Sequence, residues 1–234
     1  MNRVILSAST DETILAVTRQ HKLVDLEIEQ QINTEIVGCI YKGVVKNIVP
    51  AVDGIFVDIG IGKNAFLRRK DLLNEKRFPT EGSPILAQVI KSDTDMKGAL
   101  ITEKISMFGK YAVTLSGTGY IGVSKKIRQE SVRKKLKEIG KEICAEHMGL
   151  IIRTAAENAD MDEFRKDITR LKENWDIIQK RFRMEKSPTL LYRESDIIVK
   201  ALRDYVNKGT EILITDNRKI YERICKLNES EHTI

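Results

Sequence analysis

Cysteine, histidine, proline and tryptophan are all scarce in this 234-residue sequence, which holds three Cys, three His, four Pro and one Trp. Cys39, Cys144 and Cys225 are odd in number, widely spaced and without a CxxC pair. Neither a disulfide framework nor a zinc site is indicated, and buried reduced thiols are expected. His21, His147 and His232 are equally scattered, which removes both metal-ligand spacing and a nucleophile–base pair. No apolar run approaches the roughly 20 residues that span a bilayer. The opening MNRVILSASTDETIL has no signal-peptide apolar region or cleavage pattern. A cytoplasmic protein is expected. No internal repeat or low-complexity tract is present.

What the sequence does have is positive charge in one place. The net charge is +6, with a sequence pI near 9.1. Between Val123 and Lys141 lie eight basic residues (Lys125, Lys126, Arg128, Arg133, Lys134, Lys135, Lys137 and Lys141) against two acids, Glu130 and Glu138. Charge concentrated in this way suits a polyanionic partner, while a solvated helix face is the plainer explanation.

Hydrophobic residues make up 41% of the chain, enough for a sizeable core. RVILSAS, TILAVTRQ and LVDLEIE, separated by turns at TDE and HK, predict an antiparallel meander over 3–30. Five short strands over 36–103, punctuated by Pro50 and the GIGK turn, predict a small closed barrel. KYAVTLS and YIGVSKKI predict two strands joined as a hairpin through the Gly-rich turn. A helix is expected over 128–147, with Gly149 as its stop, and LIIRTAAEN then reads as a strand entering a loop. Phe164, Ile168, Leu171, Trp175, Ile178 and Phe182 step by four and three, so a helix is expected over 160–183, capped by Asp160 or Asp162. After Pro188 the tail alternates strand, helix, Gly209, strand and helix, which suggests a separate α/β layer.

Most motif matches dissolve on inspection. GTGYIG fits GxGxxG, but a strand follows it where a dinucleotide site needs a helix; GIGKNAF has Asn64 where a P-loop needs Ser or Thr. Asp53, Asp58, Asp93 and Asp95 form no catalytic constellation, and the last two read as turn formers. The barrel strands carry more. Ile55, Val57 and Ile59 should point inward, as should Ala65 and Leu67, leaving Phe56 and Phe66 on the outer face. Two outward rings on sequential strands can stack bases, and Lys42, Lys46, Arg68, Arg69, Lys70 and Lys97 could meet phosphates. Another domain covering both rings would give the same pattern. Arg153 and Thr154 close an apolar strand and could grip phosphate oxygens, although a lone Arg more often pairs with a structural carboxylate.

These residues resemble a known family. GCIYKGVVKNIVPAVDGIFVDIGIGKNAFLRRKDLL resembles the S1 opening of the ribonuclease E/G family, with its IYKG, AAFVDxG and HGFL segments. DMKGALIT resembles NKGAALT, and ISMFGKYAVTL resembles ISLAGxYLVLM. GLIIRTA, RLKENWDIIQK and DIIVKALRDY…EILITDN resemble later blocks in the same order. The resemblance implies an α+β chain: an S1-type OB barrel over 36–103 inserted in a split RNase H-like α/β domain (1–35 and 189–234), with an α/β 5′-sensor region over 104–188. It implies single-stranded RNA contacts at Phe56, Phe66 and Lys97. It implies a 5′-monophosphate pocket at Gly109, Val113, Arg153 and Thr154. The family's ISRRI becomes VSKKI here, so Lys125 and Lys126 keep the charge but lose the planar fork. The family is a Mg²⁺-dependent endoribonuclease of RNA processing and decay. Its catalytic aspartates, zinc-sharing cysteine pair and oligomerising domain lie beyond the blocks matched here. No catalytic residue, Mg²⁺ or Zn²⁺ is therefore carried over, and a monomer, inactive alone, is expected. The alternatives are hydrolysis completed by a catalytic half supplied elsewhere, or a protein-interaction module docking through the Phe164–Phe182 helix.

Overall fold

Alternation from Asn2 onward builds the first three strands, because every second residue faces one side of a sheet. The computed structural model describes residues 2–30, 36–76, 78–94, 97–144, 148–194, 196–206, 210 and 212–231. Asp95, His147, Gly209 and His232, named above, lie outside them. The chain divides into two units, one from Met1–Glu35 with Ser195–Ile234 and one from Ile36–Glu194.

In the first unit, β1 (Asn2–Ala8), β2 (Glu12–Arg19) and β3 (Lys22–Gln30) form the expected meander. The second turn falls at Gln20 and His21, both left-handed at φ 48° and 64°, one residue earlier than the expected HK turn. Two consecutive left-handed residues give the primed turn whose twist suits a hairpin. β14 (Ile212–Thr215) runs parallel to β1, giving the order β14-β1-β2-β3. Helices α3 (Ile197–Tyr205) and α4 (Arg218–Glu231) pack on Val4, Leu6, Leu15 and Val17. β3 inverts the usual pattern. Its Glu27 pairs with Lys200 at 2.6 Å and its Asp25 accepts from the Tyr205 hydroxyl, while Val24, Leu26 and Ile28 are exposed.

In the second unit, β4 (Ile40–Val49), β5 (Gly54–Asp58), β6 (Ala65–Arg68), β7 (Pro84–Lys91) and β8 (Leu100–Thr102) pair in the order β4-β5-β6-β8-β7, and β4–β7 closes the ring. This is a closed five-stranded OB-type barrel. Its interior holds the predicted inward set, with Ile55, Val57, Ile59, Ala65 and Leu67 all buried. The strand expected to open the tail layer, β13 (Thr189–Tyr192), instead pairs with β4.

A second sheet follows, of order β11-β12-β10-β9, from β9 (Ser106–Phe108), β10 (Ala112–Ser116), β11 (Ile121–Val123) and β12 (Met148–Ile152). The expected hairpin through GTGYIG does not form. β12 lies between β10 and β11 and runs parallel to β11, so that turn starts a crossover. Helix α1 (Glu130–Ile143) ends before Gly149, which sits inside β12. A Cβ at Gly149 would come within 3.0 Å of the Tyr120 carbonyl, so this glycine serves close strand approach rather than a helix stop. Helix α2 (Met161–Met184) is capped by Asp160, whose carboxylate accepts from the amides of Asp162 at 2.8 Å and Glu163 at 3.3 Å. Its apolar stripe, Phe164, Ile168, Leu171 and Ile178, is buried against α1 and the sheet, and Trp175 and Phe182 pack on the same core. The stripe is therefore spent inside the unit and is not a free docking face. Gln88 ties barrel to sheet: its amide donates to Gly38 O at 2.9 Å and Ser106 O at 2.8 Å.

Of the three thiols, Cys39 alone is fully buried, and Cys144 and Cys225 are half-buried. Among the described residues no helix is long and apolar enough to cross a membrane.

Candidate nucleic-acid interface

Phe56 and Phe66 stand directly opposite each other on β5 and β6. Their ring centroids are 5.4 Å apart, tilted by 49°. Both are half-buried, and the buried neighbours Ile55, Val57, Ala65 and Leu67 fix their outward direction. The pair has a neighbour that alternation did not single out. A Cβ at Gly54 would lie 2.3 Å from two carbons of the Phe66 ring, so this ring rests on bare backbone. Gly98 plays a similar part. A Cβ there would meet Asn64 O at 1.9 Å, so β8 enters tight against the start of β6. That approach brings exposed Lys97, the residue before Gly98, beside the strand carrying Phe66. The Lys97 and Thr94 backbones bond to each other in both directions, at 2.8 and 3.3 Å.

The basic rim around the rings is thinner than the sequence suggested. Lys42 is buried, donates to Glu185 O at 2.6 Å and lies 5.1 Å from the Phe182 ring centroid. It faces the interior of the unit and is no phosphate contact. Lys46 pairs with Asp58 at 3.3 Å, and Arg68 with Asp71 at 2.5 Å. Arg69 pairs with Asp53 and stacks on Phe78. Lys70 and Lys97 are exposed.

A second constellation lies on the sheet β11-β12-β10-β9. Arg153, just past β12, donates from Nη1 to Gly109 O at 2.8 Å, joining two of the four residues named for the phosphate pocket. Thr154 shares a 2.9 Å hydroxyl–hydroxyl bond with Ser124, which precedes the exposed Lys125 and Lys126. Val113 sits on β10, in register with Phe108 and Ile151. Arg128, Lys134, Lys135, Lys137 and Lys141 are exposed, whereas Arg133 is half-buried and donates to the carbonyls of Ser124 at 2.6 Å and Ile127 at 2.9 Å.

Asp167 is the residue that sequence reasoning missed. Its buried carboxylate accepts from the amides of Lys110 at 3.2 Å and Tyr111 at 2.8 Å and pairs with Arg170 at 3.0 Å. A Cβ at Gly109 would lie 2.4 Å from Asp167 Oδ2, so the turn that presents Gly109 O to Arg153 is seated on this carboxylate. The available signal was an acid one position from Ile168 in an otherwise apolar helical stripe. Tyr111 donates to Glu163 at 2.5 Å, and burial, then that hydrogen bond, pushes its hydroxyl far above the usual phenol range.

Among the described residues no three His, Cys, Asp or Glu side chains cluster closely enough to hold a metal ion. The Mg²⁺ and Zn²⁺ that the resemblance implies for the family find no donor set among them.

The sequence profile of the S1 RNA binding domain matches residues 34–102, the barrel. That of the Ribonuclease E/G family matches residues 106–233. Over 95% of its length the chain is 32% identical to Ribonuclease G of Escherichia coli (strain K12), covering 49% of that protein. Ribonuclease G of Haemophilus influenzae is 30% identical over 97% of the chain, with 50% of the relative covered. Ribonuclease E of Buchnera aphidicola subsp. Schizaphis graminum is 31% identical over 95% of the chain, with 25% of the relative covered. The chain thus spans about half the length of the Ribonuclease G relatives. With an S1 barrel followed by a profile match across more than half of its residues, the chain belongs to the ribonuclease E/G family.

Proposed function

We propose that this chain grips single-stranded RNA on the barrel face carrying Phe56, Phe66 and Lys97, and takes the 5′-monophosphate end of the strand at Gly109, Val113, Arg153 and Thr154. The observation that carries the reading is the paired, outward Phe56 and Phe66 rings, 5.4 Å apart on an S1 barrel. Aromatic platforms of this kind stack unpaired bases with little regard to sequence, and lysine neutralises the backbone. Residues 104–188 are read as a 5′-sensor region. The unit made by the two ends of the chain is read as RNase H-like, on its three antiparallel strands with a fourth parallel to the first. The setting is cytoplasmic RNA processing and decay, with the chain a monomer.

A second reading is favoured by the relatives' names. Proteins called ribonucleases match 95% of this chain, so RNA cleavage is proposed when a catalytic part is supplied, with this chain holding the substrate.

Fluorescence anisotropy with matched 5′-monophosphate and 5′-hydroxyl oligomers tests the first reading. Salt-dependent binding, weakened about tenfold by Phe56→Ala and tighter for the monophosphate, is expected. Binding indifferent to salt, to Phe56 and to the 5′ group removes it. A Mg²⁺-dependent cleavage assay on the chain, alone and with an added catalytic part, tests the second.

A further inference from the structure

The seating of α1 fixes where its positive charge points. Leu136, Ile139 and Gly140 are buried, and a Cβ at Gly140 would lie 3.0 Å from Leu150 Cδ2 on β12. The helix thus rests close on the sheet along this side. At about 100° per residue, Lys134, Lys137 and Lys141 fall within about 60° of one another on the side turned away from Leu136. All three are exposed. Spacings of three and four residues make them neighbours, and like charges so placed oppose one another. Among the described residues none of the three forms an ion pair. Two of the helix's acids are engaged elsewhere, Glu130 with Arg133 at 3.7 Å and Glu142 with Arg165 at 3.0 Å. That leaves Glu138 alone beside three lysines.

The turn before the helix belongs to the same support. Arg133 reaches back from α1 to the carbonyls of Ser124 and Ile127, and Ile127 is buried, so the turn bearing Lys125 and Lys126 is strapped to the helix. Lys125, Lys126 and Arg128 are exposed and extend the strip of charge. Along α1 itself, Lys134 to Lys141 covers about 10 Å, a length that several phosphates of one strand occupy. The helix holds no aromatic residue, no Asn and no Gln. It therefore offers neither a ring to stack a base nor an amide to read a base edge, and what remains is attraction for the backbone.

We propose that the outer face of α1, through Lys134, Lys137 and Lys141, is a second RNA contact that meets the phosphate backbone alone. It shares with the reading above only that the ligand is RNA, and it requires neither the phenylalanine pair nor a 5′-phosphate. Its contribution is electrostatic. Each phosphate neutralised releases counterions, so this contact is the part of binding most sensitive to salt.

The test measures affinity of the full chain for 5′-hydroxyl oligo(U) and oligo(A) across a salt series. The oligomers are about 30 nucleotides long, beyond the roughly 4–16 that an OB barrel covers. The triple variant Lys134→Gln, Lys137→Gln, Lys141→Gln should reduce the slope of log affinity against log salt by about 2, since each phosphate contact on a single strand contributes about 0.7. The reduction should be equal for the two homopolymers, and replacing the same three lysines by Arg should keep the slope. A control triple, Lys135→Gln, Lys180→Gln, Lys186→Gln, removes the same charge at exposed positions elsewhere and should leave the slope near that of the unmodified chain. All these variants should share the circular dichroism of the unmodified chain. A slope unmoved by the α1 triple overturns the proposal, and is the result expected of a helix face that meets only water or a protein partner. A slope moved as far by the control triple, or moved for one homopolymer alone, overturns it too. An unmoved slope with binding still weakened by Phe56→Ala leaves the barrel reading standing by itself. A slope lowered by the α1 triple, with Phe56→Ala without effect, removes the barrel reading and keeps the α1 contact.

Discussion

The ring of Phe66 lies on the backbone of Gly54, so closely that any side chain at position 54 would occupy the space of the ring. The orientation of half of the barrel's aromatic pair is therefore set by a hydrogen atom. Gly54→Ala is expected to tilt the Phe66 ring away from Phe56 and weaken single-stranded RNA binding about tenfold, the equivalent of losing one stacked base. The overpacked methyl should also cost about 1–3 kcal/mol of stability. In a double-mutant cycle, Gly54→Ala should add nothing to the RNA defect of Phe66→Ala. Wild-type RNA affinity in Gly54→Ala would show that the ring's seat does not matter.

Asp167 supports the Gly109 turn from beneath. Asp167→Ala leaves two backbone amides without their acceptor and should lower stability by about 3 kcal/mol in urea unfolding. Asp167→Asn keeps one carbonyl oxygen and should recover part of that loss. Both variants should also narrow the gap between 5′-monophosphate and 5′-hydroxyl binding, because Gly109 O positions Arg153. A stability loss with that gap unchanged would separate the turn from phosphate recognition.

Glu103 titrates against its surroundings. Burial raises its carboxyl above the usual value, only partly opposed by the amide of Leu73, which donates to it at 2.9 Å. The folded chain therefore binds this proton more tightly than the unfolded chain does. The stability contributed by the protonated form is complete below the unfolded carboxyl pKa and is lost as pH rises through the raised folded value. Glu103→Gln should equal the unmodified chain in acid and exceed it in melting temperature toward neutral pH. Parallel pH profiles for the two proteins would contradict this.

Local pattern carried a good part of this structure. The inward set Ile55, Val57, Ile59, Ala65 and Leu67, and with it the outward Phe56 and Phe66, follows from alternation within single strands. The α2 stripe and the Asp160 cap are legible for the same reason. What escaped depends on partners distant in sequence. Lys42 read as a surface cation because Glu185 and Phe182, which hold it inside, come some 140 residues later. The bond from Arg153 to Gly109 spans 44 residues. The runs YIGV and GLII are too short and too uniformly apolar to announce that they pair in parallel, so the turn between KYAVTLS and YIGVSKKI read as a hairpin. Glycine misled at position 149, since it both stops helices and permits close strand contact.

The pairing of β1 with β14 has a consequence for synthesis. Ser7, at the end of β1, bonds to Asp216, 209 residues further on. During translation the opening meander emerges with its sheet unfinished and its buried side chains without α3 or α4. The barrel and the helices behind it, contiguous from Ile36 to Glu194, have every partner synthesised before the ribosome reaches β14. The meander is thus made long before the partners that complete it. For that interval Leu6, Leu15 and Val17 lack the helices that cover them, a natural target for chaperones.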